Sequence, residues 1–392
     1  MLNEKDKSCR PFGAFVLLCT FFRGLTSPVM RSYGPLGLAG SRRISASMVV
    51  LFYVVLFGVS GCGKKKPVMF KSPSIDVMST IANLIAVADD EATAEAAVAA
   101  AVEKLHYVNK LMSDYDPEAQ LYKVNQTAFA GPVKVDDDLM YVLKESVKYS
   151  EVSGGAFDVT VGPMVDLWHK AGEEHKRPSD EEIAAAKAKV GYEKLILNDD
   201  GTVRFKVDGM RVDLGGIAKG YSIDLAIEAM KQAGAVAGMV DVGGDIRCFG
   251  KPVEKDSWRI GLQDPRSSEI LLVLKFNDVA IATSGDYQRF VEVDGERYSH
   301  IMNPKAGSSA KELESVTVIA PTAIAADALA TSVSVMGAKD GLKMVEGIDG
   351  VETIAIPNKE GLSFVHTRGV VKYIDMDFVP DSYTAASAVS GP

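Results

Sequence analysis

The chain has 392 residues, 47% of them hydrophobic, and a formal charge of −9. That is enough material to bury one large core or two modest ones. The charge is uneven, because five net positive units sit on residues 1–61 and leave −14 on the rest. A body so acidic argues against sequence-independent nucleic-acid binding, which needs basic surface, and suits a protein that collects a divalent cation. Cys9 and Cys19 lie in a first apolar stretch, Cys62 ends a second, and Cys248 alone lies in the body, so no disulfide framework is expected. The five histidines lack zinc-ligand spacing.

Arg42-Arg43 precedes the apolar run Met48–Phe57, which is too short to span a bilayer and has the length of a signal-peptide core. Val59-Ser60-Gly61-Cys62 follows and resembles the bacterial lipobox, in which the cysteine takes lipid and becomes the mature N-terminus. Residues 1–61 are therefore expected to be an N-terminal extension plus signal peptide, with Met1, Met30 and Met48 as alternative starts. Residues 62–73 would be the lipidated Cys62 and a tether containing Lys64-Lys65-Lys66-Pro67. The body would then lie outside the cytoplasm, on the periplasmic face, held to a membrane by lipid.

In the body, Val98, Val102, Leu105, Val108 and Met112 recur at helical spacing and predict an amphipathic helix over 92–113. Ser113-Asp-Tyr-Asp-Pro117 ends it. A second helix is predicted over 137–152, closed by Gly154-Gly155. A third opens at Ser179-Asp-Glu-Glu182, which has capping-box spacing, and runs to Val190. Strands are predicted at 194–197, 203–207 and 211–214, a helix from Ser222 to about Gly234, and a buried strand at 236–242. From Trp258 onward strands dominate, among them 270–276, 289–293 and 315–319. Helices at 323–335 and 339–346 follow, then final strands to about Val379 and a small-residue tail. This mixed order predicts an α+β fold with mixed, largely antiparallel sheets flanked by helices.

Three glycines and a lysine stand at one strand-to-helix junction, Asp213-Leu-Gly-Gly-Ile-Ala-Lys-Gly-Tyr-Ser-Ile-Asp224. Glycines there admit a ligand to the main chain and free N–H groups for an anion, and Lys219 adds a charge suited to phosphate. The run is neither a P-loop nor a dinucleotide fingerprint, and alone it fits a bare tight turn equally well. Downstream, Asp327 and Thr331 put an acid and a hydroxyl four residues apart on one helix face; alone, Asp327 would be an ordinary helix-surface acid. Asp241 and Asp245 flank a Gly-Gly turn and are expected to brace the glycine run without touching metal. Cys248 is read as a small buried hydrophobe.

Taken together, Asp213–Tyr221, Val242-Gly-Gly-Asp245, Ala282-Thr-Ser-Gly-Asp-Tyr287, His300-Ile-Met-Asn-Pro-Lys-Ala-Gly307 and Asp327-Ala-Leu-Ala-Thr331 resemble the ApbE family of flavin transferases over about residues 74–375. The resemblance implies a single catalytic unit with two intertwined subdomains at 74–380, followed by a disordered tail at 381–392. It implies an enzyme that splits FAD, transfers FMN to a Ser or Thr hydroxyl of an exported acceptor protein and releases AMP with Mg²⁺ as cofactor. Acceptors would be flavoprotein subunits of ion-pumping quinone reductases and related electron-transport complexes.

Carried onto this sequence, the resemblance makes the Gly216 carbonyl, Asp327 and Thr331 the metal ligands and sets Lys219 on the pyrophosphate. Asp213 becomes a flavin-contacting acid. Met78, Tyr115, Ala156, Phe157 and Asp158 hold the flavin or adenine parts, and Ile301 makes a further contact. His300 is the candidate general base, since it can take a hydroxyl proton near neutral pH, with Asp286 as an alternative. Two departures stand out: Val77-Met78-Ser79-Thr80 replaces the usual Thr-Met-Gly-Thr, and Gln120 stands where serine is more usual. The competing readings are an FAD pyrophosphatase, a non-catalytic FAD-binding lipoprotein and a solute-binding lipoprotein.

Overall fold

Along Thr80–Ala88 alternate side chains serve opposite faces, and both faces are apolar. Ala82, Leu84, Ala86 and Ala88 enter one core while Ile85 and Val87 enter another. A segment buried on both sides belongs inside a sheet with a layer on each face. The computed structural model describes residues 66–267, 269–285, 290–359 and 364–378, all within the compact unit Lys64–Pro392. The expected signal peptide, Cys62, Asp286 and the tail lie outside the described residues.

The strands begin with β1 (Val68–Lys71), β2 (Ile75–Val77), β3 (Thr80–Ala88), β4 (Val133–Lys134), β5 (Leu195–Leu197) and β6 (Thr202–Phe205). Next come β7 (Ala237–Val242), β8 (Asp245–Phe249), β9 (Trp258–Gln263), β10 (Ile270–Phe276), β11 (Ala280–Gly285), β12 (Phe290–Val293) and β13 (Glu296–Ser299). Finally there are β14 (Met302–Asn303), β15 (Ser308–Ser309), β16 (Leu313–Ala320), β17 (Glu352–Pro357) and β18 (Val365–His366). The central sheet runs β1-β3-β7-β8-β11-β16-β17-β18, with β2 also on β3. Every pairing in it is antiparallel.

One face of this sheet is covered by α1 (Glu91–Met112), α6 (Ala218–Gln232) and α7 (Ala323–Glu346). Alanines at 94, 97 and 101 keep the buried stripe of α1 shallow, so α6 can pack closely on it. The other face is covered by the β9–β10 hairpin and residues near the C-terminus. A third apolar cluster joins α4 (Gly162–Glu174) and α5 (Asp180–Lys187) to β12, β13 and β14 around Trp168 and Tyr298, whose rings stack at 4.3 Å. The remaining helices, α2 (Gln120–Thr127) and α3 (Asp137–Val152), complete the first core.

The α+β class and antiparallel pairing match expectation, as do the spans of α1 and α3. The Ser179 capping box is formed from both sides, at 3.2 and 2.8 Å. The two helices expected at 323–335 and 339–346 are there, the two segments of α7 on either side of a kink at Gly337, whose φ of 81° no helix accommodates.

Other expectations fail for local reasons. Residues 211–214 form no strand: Arg211 makes one parallel bridge to Val161, and its guanidinium is held by Asp114 and by Asp166 at 2.6 Å. The helix expected from Ser222 starts at Ala218, which puts Lys219 in its first turn. The final strands give way after His366 to 3₁₀ turns at Arg368–Tyr373 and Met376–Phe378. Helices α2 and α4 were not expected, although Pro163 at the first turn of α4 is a start signal.

Candidate functional site

Helix α6 is where the glycine run becomes functional geometry. Gly215 and Gly216 have ordinary backbone angles, so they are needed for space. A Cβ on Gly216 would stand 3.0 Å from Thr331 Oγ1 and 3.3 Å from Phe157 Cε2. At Gly220 a Cβ would come within 2.3 Å of the Ala323 carbonyl oxygen, so α6 and α7 touch through main chain. These close approaches bring Gly216, Lys219, Asp327 and Thr331 together.

Asp327 is buried. Its Oδ2 accepts the Gly220 N–H at 3.0 Å, and its Oδ1 lies 3.4 Å from Lys219 Nζ. The ammonium of Lys219 also bonds Asp245 Oδ2, and the second oxygen of Asp245 accepts Thr283 N at 3.1 Å. Burial alone would lower the Lys219 pKa, but the two facing carboxylates override it and push it up, so the lysine stays charged. Burial, opposed by Lys219, pushes the Asp327 carboxyl up to about 6.

Hydrogen-bond pairing around this cluster suits a hard cation. Gly220 is the third residue of α6, so its N–H is one of the first-turn donors that have no helical acceptor, and Asp327 takes it. Among the described residues no donor is bonded to the Gly216 carbonyl. The helix hydroxyls Ser332 and Ser334 bond back to carbonyls four residues earlier, at 2.8 and 2.9 Å, whereas Thr331 Oγ1 makes no such bond among the described residues. A carbonyl, a hydroxyl and a carboxylate therefore converge with acceptor capacity free, an all-oxygen donor set that fits Mg²⁺. Among the described residues no group of three or more His, Cys, Asp and Glu forms an alternative centre.

The other expected residues fall into three places. Asp213 sits at the head of the glycine turn, its Oδ1 accepting Gly215 N at 2.8 Å; burial raises its pKa, and nearby Asp114 adds to that. Ala156, Phe157 and Asp158 are buried. The carboxylate of Asp158 is engaged by Thr160 N and Oγ1 at 2.8 and 2.6 Å and by Tyr192 N at 2.9 Å, so its visible role is to shape the loop that presents Phe157.

Met78 and Tyr115 line a cleft of about 460 Å³ with Asp76, Ser79, Ile81 and Asn109. Tyr115 is two-thirds exposed there, and its OH lies 3.2 Å from Ser79 Oγ. His300 and Ile301 arrive from elsewhere, directly after β13 and beside Met302 of the third cluster. His300 is exposed and Ile301 buried.

Asp245 braces the glycine run as expected, by holding Lys219, whereas Asp241 closes only its own turn, accepting Gly244 N at 2.9 Å. Arg211, which ties Asp114 to Asp166 of α4, was missed altogether; its one signal is its position two residues before Asp213.

Residues 78–355 match the model of the ApbE family. A protein of Haemophilus influenzae described as FAD:protein FMN transferase is 36% identical over 249 residues, covering 61% of this chain and 72% of its own. A protein of the same description from Treponema pallidum is 29% identical over 347 residues, covering 83% and 95%. The crystal structure of the ApbE protein of Thermotoga maritima superposes with a TM-score of 0.72 at 31% identity, over 78% of this chain and 99% of that one. The flavin transferase ApbE of Vibrio cholerae superposes with a TM-score of 0.70, also at 31% identity, over the same shares. A family match that begins at Met78, takes in the whole Gly216–Lys219–Asp327–Thr331 cluster and ends at Ala355, with solved relatives of the same fold, leaves one conclusion: the chain belongs to the ApbE family.

Proposed function

We propose that this chain is an FAD:protein FMN transferase that works with Mg²⁺ on an exported acceptor protein. The observation that carries the reading is the meeting of the Gly216 carbonyl and the Thr331 hydroxyl, neither hydrogen-bonded among the described residues, with the buried Asp327 carboxylate that the Gly220 N–H holds in place. The descriptions of the relatives from Haemophilus influenzae and Treponema pallidum support the same reaction.

Gly216, Asp327 and Thr331 would hold the metal, which supplies charge neutralisation on the FAD pyrophosphate. Lys219, charged and anchored to Asp245, offers its ammonium to the same phosphates. Met78, Tyr115, Phe157 and Asp213 enclose the flavin and adenine ends, and Ile301 contributes from the β13 side. The acceptor Ser or Thr oxygen bonds to the FMN phosphorus, the pyrophosphate bridge breaks, and AMP leaves with the bridging oxygen. The hydroxyl proton passes to His300, which stands exposed where an incoming protein loop can reach it. Cys62 would carry the lipid that holds residues 74–380 at the extracytoplasmic membrane surface, near flavoprotein subunits of electron-transport complexes.

Chromatography of nucleotides after incubation with FAD and an acceptor domain tests this. AMP formation that needs Mg²⁺ and stops with EDTA is the expected result. Free FMN and AMP with an unmodified acceptor would mean that water attacks, and no AMP at all would leave only flavin binding.

A further inference from the structure

One helical turn beyond Lys219, α6 carries a second charged row built from the same three elements. Asp224 Oδ1 accepts Ala323 N at 2.8 Å and Arg247 Nη1 at 2.8 Å, and Asp224 Oδ2 accepts Ile324 N at 3.0 Å. Asp245 and Arg247 are two residues apart on β8, on one face of the strand. Lys219 and Asp224 lie about a turn apart on α6, as do Ala323 and Asp327 on α7. One row therefore reads Asp327, Lys219, Asp245. The other reads the α7 N-terminus, Asp224, Arg247.

The second row does work that α7 does not do for itself. Thr322, the residue at the N-cap position, makes no side-chain cap bond, so a carboxylate from another helix satisfies the first free N–H groups. It also meets the positive end of the helix dipole. A cap within α7 would stabilise that helix without locating it. A cap from α6 does both, and Arg247 fixes the carboxylate from the sheet.

We propose that Asp224, held by Arg247, is a positioning residue that sets the register of α7 on α6 and thereby the placement of Asp327 and Thr331 against Gly216 and Lys219. This rests on the Mg²⁺ reading of the site.

The test uses the full chain with saturating FAD and Mn²⁺ as the probe, with free Mn²⁺ followed by electron paramagnetic resonance and thermal stability measured alongside. Asp224→Asn should weaken Mn²⁺ binding about tenfold or more, as loss of a support behind a metal ligand does. Adding Thr322→Asp supplies a cap from within α7; it should restore the melting temperature while Mn²⁺ binding stays weak. Unchanged Mn²⁺ affinity in D224N, or affinity that recovers together with stability in the double variant, would overturn the proposal. If D224N does not fold, Arg247→Met, which keeps the carboxylate and removes its anchor, carries the same comparison. A wild-type chain that binds no Mn²⁺ with FAD would count against the metal reading itself.

Discussion

The Gly220 N–H donates to Asp327 Oδ2 at 3.0 Å, across the contact between α6 and α7. That bond orients a buried acid and satisfies one of the free first-turn N–H groups of α6. It forms only because the two helices meet at a residue with no Cβ. The glycine run thus acts as a close-contact point that lets α7 approach α6.

Replacing Asp327 with alanine removes the carboxylate and leaves Lys219 paired with Asp245, so the fold should survive. Transition-state charge stabilisation by a metal is worth several kcal/mol. The rate of Mg²⁺-dependent AMP release should therefore fall by about a thousandfold or more. Circular dichroism should stay unchanged. Full activity in D327A would remove Asp327 from the metal set.

Gly220→Ala places a methyl where the Ala323 carbonyl carbon and oxygen already lie at 2.6 and 2.3 Å. Main chain cannot swing aside, so the helices must separate. Overpacking of this kind costs about 1–3 kcal/mol, and the Gly220–Asp327 bond should lengthen. Urea titration reads the stability loss, and a variant as stable as the wild type would contradict the contact.

Lys219→Met keeps the aliphatic stem and leaves Asp245 and Asp327 facing each other without a cation. Breaking a buried pair in this way costs about 3 kcal/mol. FAD should bind about tenfold to a hundredfold more weakly, the range expected for loss of a hydrogen bond to a charged group. Titration of flavin fluorescence checks the affinity, and unchanged binding would place Lys219 away from the pyrophosphate.

What could be read beforehand followed from local signals. Apolar periodicity located α1, the Gly154-Gly155 stop marked the end of α3, the Ser179–Glu182 box located α5, and the order of motifs located the family. Register in three dimensions was not legible. Nothing at Asp245 announces that it reaches Lys219, because a hairpin turn and a helix start first have to be laid side by side. Residues 211–214 look like a strand because charged and apolar residues alternate, Arg-Val-Asp-Leu, yet Arg211 draws that segment to Asp114 and Asp166 instead of to a sheet edge. The last segment was misjudged for a similar reason: Val370 and Ile374 are buried in the second core, the first from a 3₁₀ turn and the second from a single bridge to Leu274.

Ser79 has φ of 57° and Met78 φ of 53°, a left-handed pair in which a side chain costs about 1–2 kcal/mol per residue. Ser79→Gly relieves one of these, offset in part by a more flexible unfolded chain. A net gain of up to about 1 kcal/mol is expected. The variant also loses the contact with Tyr115, so KM for FAD should change more than the maximal rate. A less stable S79G would argue that the hydroxyl contact outweighs the strain.

Cys248 is buried on β8, and burial raises its thiol pKa, with Asp278 and Asp241 adding to the effect. The reactive species is the thiolate, and the shift keeps the group protonated through neutral pH and mildly alkaline pH. Peptide mapping after treatment with a thiol reagent should find Cys248 unmodified in the native chain at pH 7 and at pH 9, and modified after denaturation. Native labelling that rises from pH 7 to 9 would contradict the burial.

The central claim is transfer of FMN to protein, and intact-mass spectrometry of an acceptor domain incubated with this chain, FAD and Mg²⁺ tests it most directly. A gain equal to one FMN on the acceptor, matched by AMP and absent in D327A, is the predicted result. An acceptor of unchanged mass, when a relative from the family modifies the same domain under the same conditions, would contradict it.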